Sequence, residues 1–211
     1  MTKNLDKEGL KSIVANYDIF YIDLWGVVHN GIKLHEYAIQ VLIAITEAKK
    51  KYVLLTNAPR PSEVVKKSLE RMGMDKRIRE KVYSSGEASL NYLKKNYLGK
   101  KFYHIGQSKD FDLFEDFKVN RSKDISESDY LLCTGLFENQ FDNLNYYKEL
   151  FENNINKIMI CTNPDLIVDK GNKRELCAGS VALVFEKMGG KVVYFGKPFP
   201  EVYNQSINNK N

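Results

Sequence analysis

The chain has 211 residues, 43% of them apolar, and a formal charge of +5 from 32 Lys and Arg against 27 Asp and Glu. That is enough for one medium domain or two small ones with a packed core, and no apolar run reaches bilayer length or resembles a signal segment, so a membrane or exported protein is not expected and the cytoplasm is. The lysines are scattered over apparent helix faces rather than gathered in a block, which argues against nucleic acid as a partner and leaves a mild attraction for small anions.

Leu5, Leu10, Ile13 and Val14 recur at helical spacing and predict an N-terminal helix ending near Asn16. Residues 19–24 then predict a short strand buried on both faces, interrupted by Asp23. A carboxylate there stands at the carboxyl end of a strand, where open α/β sheets place ligands, and Gly26 permits a sharp turn beside it; an aspartate opening a strand-to-loop turn is an equally good account of this stretch alone. A helix is predicted over 35–50 with Ala38, Val41, Leu42 and Ile45 as its apolar stripe, then a strand over 52–55 that ends in Thr56-Asn57-Ala58-Pro59. Pro61 opens a further helix that closes at Gly73.

A second series runs from the strand Val82-Tyr83-Ser84 into a helix over 87–97 and a strand over 101–105. Residues 110–129 are weakly patterned and predict irregular structure with a short helix. Strands are predicted over 130–133, 157–161 and 192–195, with helices over 143–152 and 175–188 between them. The strand over 157–161 ends in Thr162-Asn163-Pro164-Asp165, and the last strand in Gly196-Lys197-Pro198. Alternating strands and helices with short connections imply parallel sheets. Cys133, Cys161 and Cys177 have apolar neighbours and no paired metal spacing, so buried free thiols are expected.

Asp23 with its glycine turn, Thr56-Asn57 and Lys197 are three polar punctuations of apolar strands. Their order and spacing resemble the first three motifs of the haloacid dehalogenase superfamily. The long segment between the second and third motifs resembles the class IIA, p-nitrophenyl phosphatase-like members, as do Ser84-Ser85-Gly86-Glu87-Ala88, Thr162-Asn163-Pro164-Asp165, Ala178-Gly179 and Gly196-Lys197-Pro198 followed by Pro200 and Tyr203. The resemblance implies an α/β protein with a Rossmann-like parallel-sheet core (residues 1–82 and 195–211) and an inserted α/β class II cap (83–194), and it is compatible with a homodimer through the cap.

The resemblance also implies roles. Asp23 is the nucleophile that forms an aspartyl-phosphate, and Mg2+ is held by Asp23 and the backbone carbonyl of Trp25. Thr56 binds a phosphoryl oxygen, Asn57 shapes its loop, and Lys197 neutralises charge in the transition state. The substrate is a small phosphorylated metabolite, with Asn163 and Asp165 as the cap residues closest to its leaving group; Asn-Pro-Asp is equally good turn chemistry. Two departures stand out. The superfamily's phosphatases carry a second aspartate two residues after the nucleophile, whereas Trp25 cannot exchange protons near neutral pH, and loss of a general acid-base group costs about 10²- to 10⁴-fold. Superfamily dehalogenases carry a tyrosine at that position. His29 is the nearest titratable substitute, and a solvent-facing loop histidine is the commoner case. The second departure is that Asn211 is reached before the family's fourth motif, which supplies further magnesium carboxylates. A truncated member with an exposed strand edge beside Asp23, weak magnesium binding and little turnover is expected. A non-catalytic binding protein on the same fold is the alternative.

Overall fold

The computed structural model describes residues 9–170 and 173–208. Three parallel strands, β1 (Ile19–Asp23), β2 (Lys51–Thr56) and β3 (Val82–Ser84), form one sheet in the order β1-β2-β3. The helices between them are α1 (Glu36–Glu47), α2 (Ser62–Arg71) and the single turn α3 (Lys76–Arg79), and α4 (Ser85–Asn96) leaves β3 directly. Ser84 caps α4, its hydroxyl accepting from Glu87 N at 3.1 Å, while the Glu87 carboxylate accepts from Ser62 N at 2.9 Å and ties α4 to the start of α2. The Ser-x-x-Glu spacing is the capping-box signature.

The second sheet has five parallel strands: β4 (Phe102–Ile105), β5 (Arg121–Ser122), β6 (Tyr130–Cys133), β7 (Ile158–Cys161) and, after the hairpin described below, β10 (Lys191–Tyr194), in the order β10-β7-β6-β4-β5. Helices α5 (Leu144–Phe151) and α6 (Ala178–Lys187) cover it through Tyr147, Phe151, Val181 and Phe185, all buried. A separate antiparallel hairpin, β8 (Ile167–Lys170) with β9 (Lys173–Leu176), projects from the end of β7, and α7 (Pro200–Asn208) closes the described chain. The two large sheets share one apolar core: Leu55 and Tyr83 from the first join Phe102, Tyr130, Leu132 and Ile160 from the second, with Phe195 and Val202 from the segment after β10. Cys133, Cys161 and Cys177 are buried and not disulfide-bonded, as expected.

Four expectations need correction. Residues 9–16 hold two 3₁₀ turns, Leu10–Ser12 and Val14–Asn16, rather than an α-helix, and Leu5 lies outside the described residues. None of the five residues of β1 is fully buried, because β1 is the edge of its sheet. On α1, Leu42 and Ile45 are buried but Val41 is exposed. The helix expected from residue 175 begins at Ala178, because 173–176 pair with 167–170 as β9.

Beneath the second sheet, His104 is buried with Nε2 2.8 Å from the Thr134 hydroxyl, which donates to Asp110 Oδ2 at 3.1 Å. Burial, then the charge of Arg121, pushes the imidazole from 6.5 down to about 3. Above the unfolded value both states are neutral at this site; as pH falls below it the unfolded chain takes up a proton that the folded one refuses. Stability should therefore fall between pH 6.5 and about 3, by on the order of 3–5 kcal/mol from this group. Urea unfolding across that window should show a shallower acid slope for His104→Gln than for the parent.

Candidate active site

The two sheets bring the carboxyl ends of their strands to a common cleft. In register, Asp23 lies opposite Leu55, so Thr56 stands one residue further along the neighbouring strand. On the other side, β7 and β10 run in parallel with Tyr194 opposite Cys161; the loops that follow them carry Asn163-Pro164-Asp165 and Gly196-Lys197. The loop carrying Lys197 therefore leaves the five-stranded sheet and reaches across to the strand carrying Asp23. Lys197 Nζ donates to Asp23 Oδ1, and Leu24 N donates to the same oxygen at 2.8 Å. Asp23 Oδ2 takes no hydrogen bond among the described residues.

Asn57 holds these pieces together. Its Oδ1 accepts from Lys197 N at 2.7 Å, and its Nδ2 donates to Lys197 O at 3.1 Å and to Asp165 Oδ1 at 2.8 Å. One buried amide thus fixes both the lysine loop and the Asp165 carboxylate. Gly196, at φ 125°, is wedged so closely that a Cβ there would lie 2.6 Å from Asn57 Oδ1 and from Pro164 Cδ. The Asn163-Pro164-Asp165 turn closes on itself, Asn163 Oδ1 accepting from Asp165 N at 2.9 Å, and is stitched to α6 by Gly179 N donating to Asp165 O at 3.1 Å. Burial pushes the Asp165 carboxyl above its ordinary value, the Asn57 hydrogen bond and the Lys197 charge oppose that, and the Asp23 charge adds to it. A Cβ on Gly179 would meet Pro164 O at 2.2 Å. Gly179→Ala is therefore expected to cost about 1–3 kcal/mol in urea denaturation through forced movement of this turn.

Thr56 is buried, and its Oγ1 accepts from Ala58 N at 3.3 Å, leaving the hydroxyl proton to donate elsewhere. Asp23, Thr56, Asn57, Asn163, Asp165 and Lys197 all line one cavity of about 990 Å³, together with Trp25. His29 does not line it. That residue is buried, its Nδ1 accepts from Gly31 N at 2.9 Å, and burial foremost, then the His35 charge, pushes its pKa down against the pull of Asp23. Ile167, Val168 and Asp169 of β8 form another wall. Sequence reasoning missed them, although two four-residue runs separated by Gly171-Asn172 carry a hairpin signal.

A divalent ion has two evident oxygen donors here, Asp23 Oδ2 and the Trp25 carbonyl, neither hydrogen-bonded among the described residues. No group of three or more His, Cys, Asp or Glu side chains that could hold a metal occurs among those residues. Magnesium keeps several waters and commonly takes one or two carboxylates plus substrate oxygens, so the donor set fits a largely hydrated Mg2+.

A carboxylate and a lysine thus meet where the strand ends converge, with Thr56 at the end of the adjacent strand and Asn57 just past it. A family model described as haloacid dehalogenase-like hydrolase matches residues 20–120. The fold is similar to a haloacid dehalogenase-like hydrolase from Brucella suis 1330, with 27% identity over 94% of this chain and 73% of that one and a TM-score of 0.85. It is also similar to the 4-nitrophenylphosphatase of Thermotoga maritima (20% identity, 94% and 76% covered, TM-score 0.71) and the p-nitrophenyl phosphatase of Archaeoglobus fulgidus (17%, 90% and 73%, TM-score 0.69). No curated protein matches the sequence. By sequence over residues 20–120 and by fold over most of its length, the chain is similar to haloacid dehalogenase-like hydrolases, with nitrophenylphosphatases among its structural neighbours.

Proposed function

We propose that the chain is a phosphatase-like hydrolase acting on a small phosphorylated metabolite through Asp23. The observation that carries this reading is the Lys197–Asp23 ion pair at the convergent strand ends, inside a cavity that also presents the Thr56 hydroxyl. Asp23 attacks phosphorus, the ester oxygen departs with its electron pair, and an aspartyl-phosphate results. Lys197 moves between the carboxylate and the phosphoryl oxygens as charge shifts from one to the other, and Thr56 donates its free hydroxyl proton to a phosphoryl oxygen. Asn57 holds the Lys197 loop through both of its backbone groups, which keeps the ammonium aimed at Asp23. Asp23 and the Trp25 carbonyl would hold Mg2+, which when bound would supply charge neutralisation between carboxylate and phosphate. In this reading residues 1–82 and 195–211 are the core, residues 83–194 are the cap, and Asn163 and Asp165 face the leaving group.

The indole of Trp25 neither gives nor takes a proton, so protonation of the leaving oxygen and hydrolysis of the aspartyl-phosphate are the slow steps. The reading is tested by following p-nitrophenol release with Mg2+ and looking for a phosphorylated Asp23 by intact mass and peptide mapping. Neither product nor phosphoenzyme would sink it. The same indole favours a second reading, a binding protein that keeps Asp23 without turnover. Beryllium fluoride with Mg2+ should raise the melting temperature of the hydrolase and leave that of the binding protein unchanged.

A further inference from the structure

We infer that Trp25 is a positioning residue that fastens the β8–β9 hairpin to the loop after β1, so that one indole hydrogen bond sets a wall of the cavity. Trp25 Nε1 donates to the backbone carbonyl of Asp169 at 3.2 Å, across 144 residues of sequence. Trp25 is 38% exposed, so packing holds only part of it. Its seat is built from the loop itself. Gly26 N donates to His29 O at 2.8 Å, His29 N to Leu24 O at 3.1 Å, and Gly31 N to His29 Nδ1 at 2.9 Å. The His29 ring meets the indole edge-on at 5.6 Å, and Gly31, at φ 88°, approaches it so closely that a Cβ there would lie 2.7 Å from Cη2. A donor confined on two sides loses little entropy when it makes its bond.

The hairpin needs such a tie. Two strands of four residues are marginal by themselves. Its base is pinned, Leu166 O accepting from Cys177 N at 2.9 Å and from the Ser180 hydroxyl at 2.6 Å. The Asp169–Arg174 ion pair lies within the hairpin and is exposed, so it does not orient the hairpin against its surroundings. Between the loop after β1 and the hairpin, the indole bond is the hydrogen bond found among the described residues. Because Ile167, Val168 and Asp169 line the cavity, the angle of the hairpin sets the room beside Asp23. This holds whether or not Asp23 is phosphorylated.

The test is hydrogen exchange followed by mass spectrometry on the chain and on Trp25→Phe, which keeps an aromatic ring and removes the N–H. Amides of 167–170 and 173–176 should exchange about five- to tenfold faster in the variant, with β2 and β7 unchanged. Unchanged hairpin exchange, or acceleration spread through both sheets, overturns the inference. Trp25 is the sole tryptophan, so its fluorescence gives an independent reading. Replacing residues 167–176 by a short Gly-Ser linker should red-shift its emission and increase acrylamide quenching. An unaltered spectrum overturns the inference.

Discussion

Replacing Asp23 with asparagine is expected to reduce p-nitrophenol release by on the order of 10³-fold or more and to abolish the phosphoenzyme, because the amide oxygen is a poor nucleophile for phosphorus. Fold and chemistry separate in this variant. The Asp23–Lys197 pair is only part-buried, and pairs of that kind contribute about 0–1 kcal/mol, so the urea midpoint should hardly move. Asp23→Glu keeps the charge but shifts the carboxylate by a methylene, and a displacement of about 1 Å is enough to cost on the order of 10²-fold. The comparison measures how much of the rate belongs to placement. A phosphoenzyme persisting in Asp23→Asn would place the nucleophile elsewhere.

The residues of this experiment were legible in the sequence for a topological reason. Parallel strands joined by helices put all their carboxyl ends on one side, so polar residues that end apolar strands gather there whatever lies between them. Asp23, Thr56 and Lys197 are of this kind, and the structure brings them into one cavity. What stayed hidden depends on contacts at long range. Asn57 reads as loop chemistry, yet its partners Asp165 and Lys197 are 108 and 140 residues away. His29 reads as a loop histidine, and the turn back through Leu34 buries it. The hairpin was obscured because Lys173-Arg174-Glu175-Leu176 suits a helix as a local string, and pairing with residues 167–170 overrides that preference. Trp25 shows the same division. Its identity removes a proton donor beside Asp23, while its bond to Asp169 belongs to a hairpin whose Gly171-Asn172 turn signal competes with the helical reading of the residues after it.

Asn57→Ala is expected to lower stability by about 2–4 kcal/mol, because one truncation removes three hydrogen bonds and leaves Lys197 N, Lys197 O and Asp165 Oδ1 without this partner, each worth about 1–3 kcal/mol when stranded and less than additive together. With both backbone contacts gone, the Lys197 loop is free to leave Asp23, so turnover should fall by on the order of 10²-fold as well. Asn57→Asp is the sharper variant. It keeps an acceptor for Lys197 N but sets a carboxylate against Asp165, whose carboxyl burial already pushes upward. A raised folded-state value means that the folded protein holds its proton more tightly than the unfolded chain. The resulting destabilisation is therefore full above the folded value and relieved as pH falls through it. Urea unfolding at about pH 7 and about pH 5 should show Asn57→Asp recovering toward Asn57→Ala on acidification, since protonation of either carboxyl removes the repulsion. A gap between the two variants that stays constant with pH would mean that Asp165 is not charged against residue 57, and that the clamp is held together by the Lys197 backbone alone.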